Sequence, residues 1–537
     1  MEVIRRSYNR SILAASLLLV MAAAGAYLLT VDDELGDWAG DAAHYVLLAR
    51  SLAAGDGYAD PVFPGHIPHT KYPPLFPLIM APVIYLAGTD MSALRAEVAI
   101  MAALSVLFWM LYFRRRTGTG AALILAALFA VNPYSLIFVT RTLSETPYLM
   151  LTGLCFLAYD WWREKGSPPF LWSWVLLAAL SYLTRTLGLS LLAALVAAAL
   201  LNKAFRQRRC GPLPAWLAAS ILIAAVVASW SLYVLISGGP QQNYFGELIA
   251  AKGGMSAAGV KDIFARVAGN LLYYARQMPT EMLSAGGLSG ALITALSVPF
   301  WILFGLGIYR SAKFGETAEV LYCVFYIAIV LVWPAHLDYR FLFPLMPLAY
   351  LFLWRAFEGL YRAGGKKAYV PPVAAALIVA AHLVAVIPLL RSMSAPRPYP
   401  PYTPVTMFGR VIERPVIDWS HTMFAYRTPK NIFSLGEFIL MCEIGKAELP
   451  QGSVIAASKP RDVTFITGYR SVSFPPCRDA GSFIAYLSSW DVDYVFLDRM
   501  TPYSAACLPL VTASPQSFQI VLGERGRPAP AIYRYLD

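Results

Sequence analysis

Long apolar runs separated by short polar segments fill the first 390 residues of the chain. Twelve runs have the length and character of membrane-spanning helices, near residues 11–30, 72–88, 94–113, 119–138, 147–162, 170–185, 187–201, 214–236, 288–309, 318–335, 341–357 and 370–390. An acidic loop, without a small-residue cleavage site, follows the first run, which we interpret as a retained helix. The pattern predicts an all-α polytopic membrane bundle.

The run from Tyr72 to Gly88 is the weakest candidate span, because it is short and contains four prolines. The distribution of Lys and Arg over the short loops tests it. If this run does not cross the membrane, eighteen basic residues in six clusters lie on the same side as the N-terminus. If it does cross, every cluster after the first changes side. The sequence therefore predicts about eleven spans in the inner (plasma) membrane, with a cytoplasmic N-terminus, an extracytoplasmic C-terminus, and residues 72–88 lying along or dipping into the outer surface.

Residues 31–94 form a long first outer loop under this topology. The loop contains a predicted amphipathic helix, Asp41–Ala54, followed by the proline-rich segment. Long loops on a helical scaffold commonly carry function. We therefore expect functional residues in this loop.

The pattern changes after residue 390, where a proline-rich linker precedes a region without further apolar spans. Short β-rich runs at residues 453–457, 494–497, 518–522 and 531–536 alternate there with helical patterns near 435–444 and 482–490. The sequence predicts two domains: a transmembrane domain, residues 1–390, and a small extracytoplasmic soluble α/β domain, residues 391–537.

Composition supports a membrane protein. The chain is 58% hydrophobic and only 14% charged, with a mean hydropathy of +0.55, so it has too few charged groups to cover a soluble protein of this size. The net charge of +11 arises from basic clusters between apolar runs, and after residue 390 fifteen basic residues nearly balance twelve acidic ones. These distributions favour contact with membrane lipids and argue against a nucleic-acid partner.

Six cysteines are scattered along the chain, and no two have zinc-ligand or C-x-x-C spacing. We therefore predict no metal site and no cofactor. In an oxidising compartment Cys442, Cys477 and Cys507 allow one disulfide and one free thiol, and the pairing stays open. The sequence has no Walker loop, serine-hydrolase elbow or zinc-protease motif, which excludes those three classes.

Asp41 differs from the other acidic residues of the first outer loop because it starts the predicted amphipathic helix beside the membrane. Two interpretations stay open. The carboxylate could cap the helix, which its position alone would explain. A carboxylate held at a membrane interface could also act as a general base on an acceptor hydroxyl.

Further polar residues lie at the outer ends of predicted helices: Lys71, Arg141, Glu145, Arg185, His336 and Arg340. Interfacial snorkelling would explain any one of the cations. Several cations at the ends of different helices indicate a bound anion, and a lipid phosphate is the anion most available to a membrane protein.

Together these motifs resemble the GT-C superfamily of membrane glycosyltransferases, in particular the bacterial branch that includes the lipid A aminoarabinose transferase and is similar to protein O-mannosyltransferases. The resemblance covers roughly the first 350 residues. Its motifs are Asp41 with Tyr45, the A-x-x-L-x-x-G run Ala49–Gly55, Lys71-Tyr72-Pro73-Pro74-Leu75-Phe76-Pro77, Glu145, and Arg340 before Phe343-Pro344-Leu345-Met346-Pro347.

The resemblance implies inverting transfer of a sugar from a polyprenyl-phosphate carrier to an acceptor on the outer face, without a catalytic metal or a nucleotide sugar. Asp41 would be the general base, and Lys71 and Arg340, with Arg185, would bind the phosphate. Tyr45, Arg141 and His336 would belong to the substrate site. The family often has Asp where this chain has Glu145, which would orient the acceptor or pair with Arg141.

Two other classes of membrane protein fit the sequence less well. A lipid flippase or secondary transporter usually has internal repeats and ionisable groups near the middle of the membrane, and this sequence shows neither. A ligase or polymerase of surface polysaccharide would share the lipid-linked donor but would usually have its large loop later in the chain. The sugar and the acceptor, whether lipid, glycan or protein, stay open.

Overall fold

The fold was obtained as a computed structural model of the chain. The described residues are 2–31, 40–65, 67–139, 141–201, 213–238, 257–283, 289–334, 338–363, 373, 376–384, 386–387, 405–408, 410–412, 429–475, 479–499, 501–523 and 529–536. The structure is predominantly helical, with a small sheet near the C-terminus, as the sequence predicted.

The N-terminal part is a bundle of apolar helices. They are α1 (Glu2–Leu28), α2 (Gly40–Ala54), α3 (Leu75–Ala87), α4 (Met91–Thr117), α5 (Thr119–Ala130), α6 (Pro133–Val139), α7 (Glu145–Lys165), α8 (Pro168–Thr184), α9 (Gly188–Leu201), α10 (Leu213–Ser237), α11 (Ala257–Met282), α12 (Gly290–Lys313), α13 (Thr317–Val332) and α14 (Met346–Ala363). Two 3₁₀ helices, Asp338–Phe341 and Phe343–Leu345, precede α14. Local signals set several helix ends: Asp90 caps α4 by accepting from two backbone N–H groups, and Gly166 ends α7 in a left-handed conformation.

The core of the bundle lies where α4, α7 and α8 pack together. The indole rings of Trp109, Trp162 and Trp174 are completely buried there. Gly153 lets α7 approach α4 closely, because a Cβ at this position would lie only 2.9 Å from Nε1 of Trp109. The same Nε1 donates to the carbonyl of Leu149 at 3.1 Å, so even this buried polar atom has a partner.

By length and composition, three helices among the described residues could cross a membrane: Met91–Thr117, Ala218–Ser237 and Gly290–Lys313. Helices α5 and α6 meet at a 59° bend before Pro133, and together they would make a fourth. Five further apolar helical segments, Ala14–Leu28, Leu75–Ala87, Pro168–Thr184, Gly188–Leu201 and Thr317–Val332, are 10–17 residues long, shorter than the roughly 20 residues that a straight span needs. The eleven-span topology therefore stays a prediction, as does the surface position of residues 72–88.

The C-terminal part contains a five-stranded sheet with the order β6-β5-β7-β9-β8. Its strands are β5 (Val454–Ala457), β6 (Arg470–Ser473), β7 (Tyr494–Leu497), β8 (Phe518–Gly523) and β9 (Ala531–Tyr535). Strands β6, β5 and β7 are parallel, and β9 runs antiparallel to β7 and β8. Two small hairpins precede the sheet in the chain: β1 (Ala59–Asp60) with β2 (Ile67–Pro68), and β3 (Val405–Met407) with β4 (Arg410–Ile412).

Helices cover both faces of this sheet: α15 (Pro429–Glu448) and α16 (Pro460–Thr467) on one side, α17 (Ala480–Ser489) and α18 (Pro502–Thr512) on the other. Strand β7 shows why both faces are apolar. Tyr494 and Phe496 belong to the core under α15 and α16, whereas Val495 and Leu497 belong to the opposite core. Alternate residues of a strand point to opposite faces, so a doubly covered strand is apolar throughout.

The four predicted strands and the two predicted helices of this region are present, and β6, α16 and α18 are elements that the sequence analysis missed. Strand β6 is short and polar, α16 has only eight residues, and Pro509 interrupts the helical pattern of α18. The predicted domain boundary near residue 390 lies outside the described residues and stays a prediction.

Candidate active site

Asp41 lies in the first turn of α2, where the helix dipole favours a negative charge. Its Oδ1 accepts a hydrogen bond from Tyr72 Oη at 2.6 Å and lies 3.1 Å from Nη1 of Arg461. Its Oδ2 lies 2.7 Å from Nη1 of Arg340. Burial raises the pKa of the Asp41 carboxyl, but Arg340, Arg461 and the Tyr72 hydroxyl outweigh burial and hold this pKa well below its usual range.

Glu145 is the second carboxylate of the site. It begins α7 and is completely buried. Its Oε1 lies 2.7 Å from Nη1 of Arg185 and also accepts a hydrogen bond from Nε of Arg340. Arg340 therefore bridges Asp41 and Glu145, and it joins α2 to α7 through two charge-assisted hydrogen bonds.

Tyr45 lies one helical turn after Asp41 on the same side of α2. Its hydroxyl donates to Oγ of Ser144 at 3.0 Å, and Nη1 of Arg185 donates to the same oxygen at 3.3 Å. Tyr45 thus connects α2 with the residue that precedes Glu145. Five of the residues predicted from the sequence, Asp41, Tyr45, Glu145, Arg185 and Arg340, meet in one network.

The other predicted residues have different places. Lys71 lies beside the network, with Nζ 6.0 Å from the centre of the Tyr72 ring, and its charge helps to lower the pKa of Asp41. Arg141 is buried just after α6, while the ion pairs of Glu145 are with Arg185 and Arg340. His336 lies outside the described residues.

The structure adds two residues that the sequence analysis missed. Tyr72 lies inside the Lys71–Pro77 motif, and its buried hydroxyl donates to Asp41. Arg461 comes from α16, which packs on α2, and its Nη1 donates to Tyr72 Oη at 2.9 Å as well as to Asp41. The motif was a signal for Tyr72, whereas no local pattern predicts that a short helix 420 residues further along the chain packs beside Asp41.

Three arginines, Arg185, Arg340 and Arg461, form ion pairs with two carboxylates, Asp41 and Glu145, so cations exceed carboxylates within these direct pairs. Lys71 lies nearby, and the carboxylates of Asp60 and Asp462 lie close enough to interact with Arg461. The side chains of Arg340 and Arg461 are 13% and 29% exposed, so the positive charge reaches the surface. An arrangement of this kind suits an oxyanion, since planar guanidinium groups bind phosphate through paired hydrogen bonds.

A second cluster lies directly behind Tyr72. His44, Asp60 and His69 are all buried, and three of their potential ligand atoms lie within 4.8 Å of one another. Among the described residues this is the group whose residue types and spacing could hold a metal ion. The sequence analysis did not single it out, because the three residues are not at a regular spacing.

The fold is similar to that of ArnT from Cupriavidus metallidurans bound to undecaprenyl phosphate, with a TM-score of 0.54, 13% sequence identity, and coverage of 97% of this chain and 98% of that chain. It is also similar to the Archaeoglobus fulgidus oligosaccharyltransferase tethered with an acceptor peptide, with a TM-score of 0.50, 12% identity, and coverage of 92% and 71%. No protein-family model matches the sequence, and no curated protein sequence matches it.

Both proteins are GT-C glycosyltransferases. At these identities the similarity concerns the fold, and it extends over nearly the whole chain. The chain shares the fold of these two proteins, and the resemblance seen in its sequence motifs is confirmed at the level of the fold.

Proposed function

We propose that the chain is an integral membrane glycosyltransferase that moves a sugar from a polyprenyl-phosphate carrier to an acceptor hydroxyl at the extracytoplasmic face. The observation that carries the proposal is the Asp41–Arg340–Glu145 bridge, in a network where cations exceed carboxylates. The fold supports it, since ArnT has the same fold and was crystallised with undecaprenyl phosphate.

The cations of the network would bind the phosphate of the donor. Nε of Arg340 donates to Glu145, and its Nη1 donates to Asp41. These two hydrogen bonds orient the guanidinium group, whose Nη2 can donate to a phosphate oxygen. Lys71 and Arg461 lie beside Tyr72, with Nζ of Lys71 6.0 Å from the centre of its ring and Nη1 of Arg461 2.9 Å from its Oη. Fixed positive groups would stabilise the charge that develops on the departing phosphate, which lowers the barrier of the transfer step.

Asp41 would be the general base, and the same network controls its basicity. While Arg340, Arg461 and Tyr72 all bond to the carboxylate, its low pKa makes it a weak base. A phosphate oxyanion bound to the two guanidinium groups would offset their positive charge and so raise this pKa. Donor binding would therefore also activate the base, which is best matched when its pKa lies closer to the working pH.

In the transfer step the acceptor oxygen forms a bond to the anomeric carbon while the bond from that carbon to the phosphate oxygen breaks. The acceptor proton passes to Oδ1 or Oδ2 of Asp41, and the electron pair of the broken bond stays on the polyprenyl phosphate. Attack from the side opposite the phosphate inverts the anomeric centre. Glu145 would hold Arg340 and Arg185 in place and takes no proton.

The remaining parts of the proposal concern the setting of the enzyme. Residues 1–390 would form about eleven spans of the inner membrane, and residues 391–537 would lie outside the cytoplasm and supply Arg461. The lipid-linked donor takes the place of a nucleotide sugar, and the arginines of the site would stabilise the phosphate without a metal. The acceptor is a lipid, a glycan or a protein with a free hydroxyl.

Binding of undecaprenyl phosphate to the purified full-length chain tests the donor class. We expect Arg340→Met and Lys71→Met each to weaken binding by about 1.5–3 kcal/mol, the range for hydrogen bonds to charged groups. Lys313→Met is the matched control, because this exposed lysine lies at the opposite end of the bundle. Unchanged affinity in both site variants would contradict a phosphate site here.

A further inference from the structure

Three side chains behind Tyr72 form a buried hydrogen-bonded cluster. Oδ2 of Asp60 lies 2.8 Å from Nε2 of His44 and 3.0 Å from Nδ1 of His69. The side chains of His44, Asp60 and His69 are at most 1% exposed. The other oxygen of Asp60 accepts the backbone N–H of Val62 at 3.0 Å. A buried carboxylate with these donors stays ionised, and the pKa of Asp60 lies well below its usual range, because the two histidines outweigh the effect of burial.

The backbone of Tyr72 decides how this cluster is protonated. Its N–H donates to Nε2 of His69 at 2.9 Å, so Nε2 must carry a lone pair. The proton of a neutral His69 therefore lies on Nδ1, where it is donated to Asp60. A metal ion at Nδ1 would require this proton to leave or to move to Nε2, where it would face the Tyr72 N–H. The hydrogen bonds of His69 thus favour a proton over a metal ion between His69 and Asp60.

The cluster also sets the position of the hydroxyl that touches Asp41. Tyr72 is held at its backbone N–H by His69 and at its carbonyl by the Tyr58 hydroxyl, at 2.9 Å in both cases. Its ring packs against the rings of His44 and Tyr45, with centroid separations of 5.3 and 4.6 Å. Once the backbone and ring are fixed, the Oη of Tyr72 has one place, 2.6 Å from Asp41 Oδ1.

The loop that carries Asp60 is also attached to the C-terminal region. The carbonyl of Val62 accepts the backbone N–H of Ser471 at 2.7 Å, and Nη1 of Arg470 donates to the carbonyl of Pro61 at 2.6 Å. Both residues belong to β6, which follows α16 in the chain. One hydrogen-bonded path therefore runs from β6 through Val62, Asp60 and His69 to Tyr72 and Asp41.

We propose that His44, Asp60 and His69 are positioning residues that place Tyr72 and Arg461 around Asp41. Through them, the packing of β6 against the loop of Asp60 is coupled to the position of the Tyr72 hydroxyl at Asp41. The catalytic consequence rests on the proposed function, whereas the coupling between β6 and Tyr72 does not. The cluster acts through its hydrogen bonds and holds no metal ion.

Amide hydrogen exchange of the full-length protein tests the coupling. Residues 70–75 suit this measurement because Pro73 and Pro74 have no N–H, so few other amides dilute the signal of Tyr72. His69→Asn can still donate to Asp60 but is too short to reach the Tyr72 N–H, and we expect exchange of this segment to become at least about tenfold faster, the effect of losing roughly 1.4 kcal/mol. His69→Gln presents an acceptor further out and should restore slow exchange.

Two further variants complete the test. Asp60→Asn should speed exchange both at residues 70–75 and at β6, whereas Glu316→Gln, which breaks a buried ion pair at the opposite end of the bundle, should leave both segments unchanged. Unchanged exchange at residues 70–75 in His69→Asn, or equal acceleration in His69→Asn and His69→Gln, would overturn the positioning role.

Zinc binding separates the proposal from the metal alternative. We expect the purified wild-type chain and the Asp60→Asn variant to bind the same amount of Zn²⁺, less than one ion per chain. One bound zinc per chain, lost in that variant, would overturn the proposal in favour of a metal site. Binding of undecaprenyl phosphate by the wild-type chain tests the proposed function separately. If the chain does not bind it, the proposed function is contradicted, while hydrogen exchange still tests the positioning role of the three residues.

Discussion

Charged side chains gather at two opposite ends of the helical bundle, and the two groups differ in balance. The far-end cluster consists of Arg116, Asp160, Glu319, Arg355 and Glu316. Nη2 of Arg116 lies 2.6 Å from Asp160 and 2.5 Å from Glu319, and Arg355 pairs with Glu316. Asp160 follows Glu145 by fifteen residues in α7, which is about 22 Å along the helix.

The far-end cluster is closed. Its three carboxylates are at most 6% exposed. When the further pairs of Arg115, Arg163, Glu164 and Glu358 are included, five carboxylates face four arginines, so the arginines there have carboxylate partners. At the other end, three arginines and Lys71 surround Asp41 and Glu145, and Asp41 is 28% exposed. The difference shows that ion pairs of similar geometry can serve the packing of helices in one place and the binding of an anion in another.

Asp41→Asn gives the largest expected effect. Asparagine can still stabilise the first turn of α2, but an amide does not accept a proton from the acceptor hydroxyl. We expect transfer to fall by about 10² to 10⁴, the usual contribution of a general base, while undecaprenyl phosphate binding persists. The measurement is mass spectrometry of surface lipids and glycans in a deletion strain that carries each variant.

Asp56→Asn is the matched control for this prediction, since it removes an exposed carboxylate from the same outer loop. Equal loss of transfer in both variants would mean that loop charge, and not proton transfer, is responsible. Normal transfer by Asp41→Asn would assign the base to another residue.

Arg355→Met tests the far-end cluster. It leaves Glu316 buried without its arginine, and breaking a buried ion pair of this kind costs about 3–5 kcal/mol. We therefore expect a markedly lower melting temperature in detergent, with unchanged affinity of the folded fraction for undecaprenyl phosphate. A loss of affinity without a loss of stability would show that the comparison between the two ends is wrong.

Substitution of Asp462 gives the smallest expected effect, which is a change in how the folding stability depends on pH. Unlike the far-end carboxylates, both oxygens of Asp462 are buried without a hydrogen-bond partner, and burial raises the pKa of its carboxyl to about 6 despite Lys459 and Arg461. The folded chain therefore holds a proton there that the unfolded chain releases above about pH 4. The stability gained from this proton is present at low pH and is lost as the pH rises through 6.

Asp462→Asn should remove this dependence. We expect the variant to gain stability relative to the wild type as the pH rises from about 4 to about 6, by up to about 3 kcal/mol, with a constant difference at higher pH. Melting curves across this pH range check the prediction. A constant difference between the two proteins at all pH values would show that Asp462 does not titrate there.

Much of this structure could be predicted from local sequence patterns. The helical pattern after Asp41 predicted α2 to within one residue of its first position, and four β-rich runs became strands of the sheet. Asp41 was selected because it starts a helix beside the membrane, Glu145, Arg185 and Arg340 because charged residues at the outer ends of several helices indicate an anion site, and Tyr45 because of the family resemblance. The patterns failed for β6 and α16, which are short and polar and owe their conformation to the elements packed around them.

Sequence by itself determined that the chain is an apolar helical bundle with a mixed α/β region at its C-terminus, and which charged residues lie near helix ends. These properties follow from hydrophobic periodicity, which is local. Only the tertiary structure decided that Arg340 bridges Asp41 and Glu145, that Arg461 reaches Asp41 from α16, and that His69 holds Tyr72 in place. Each of these contacts depends on distances of about 3 Å between side chains on different elements, and such distances are set by how the elements pack and not by the residues next to them in the chain.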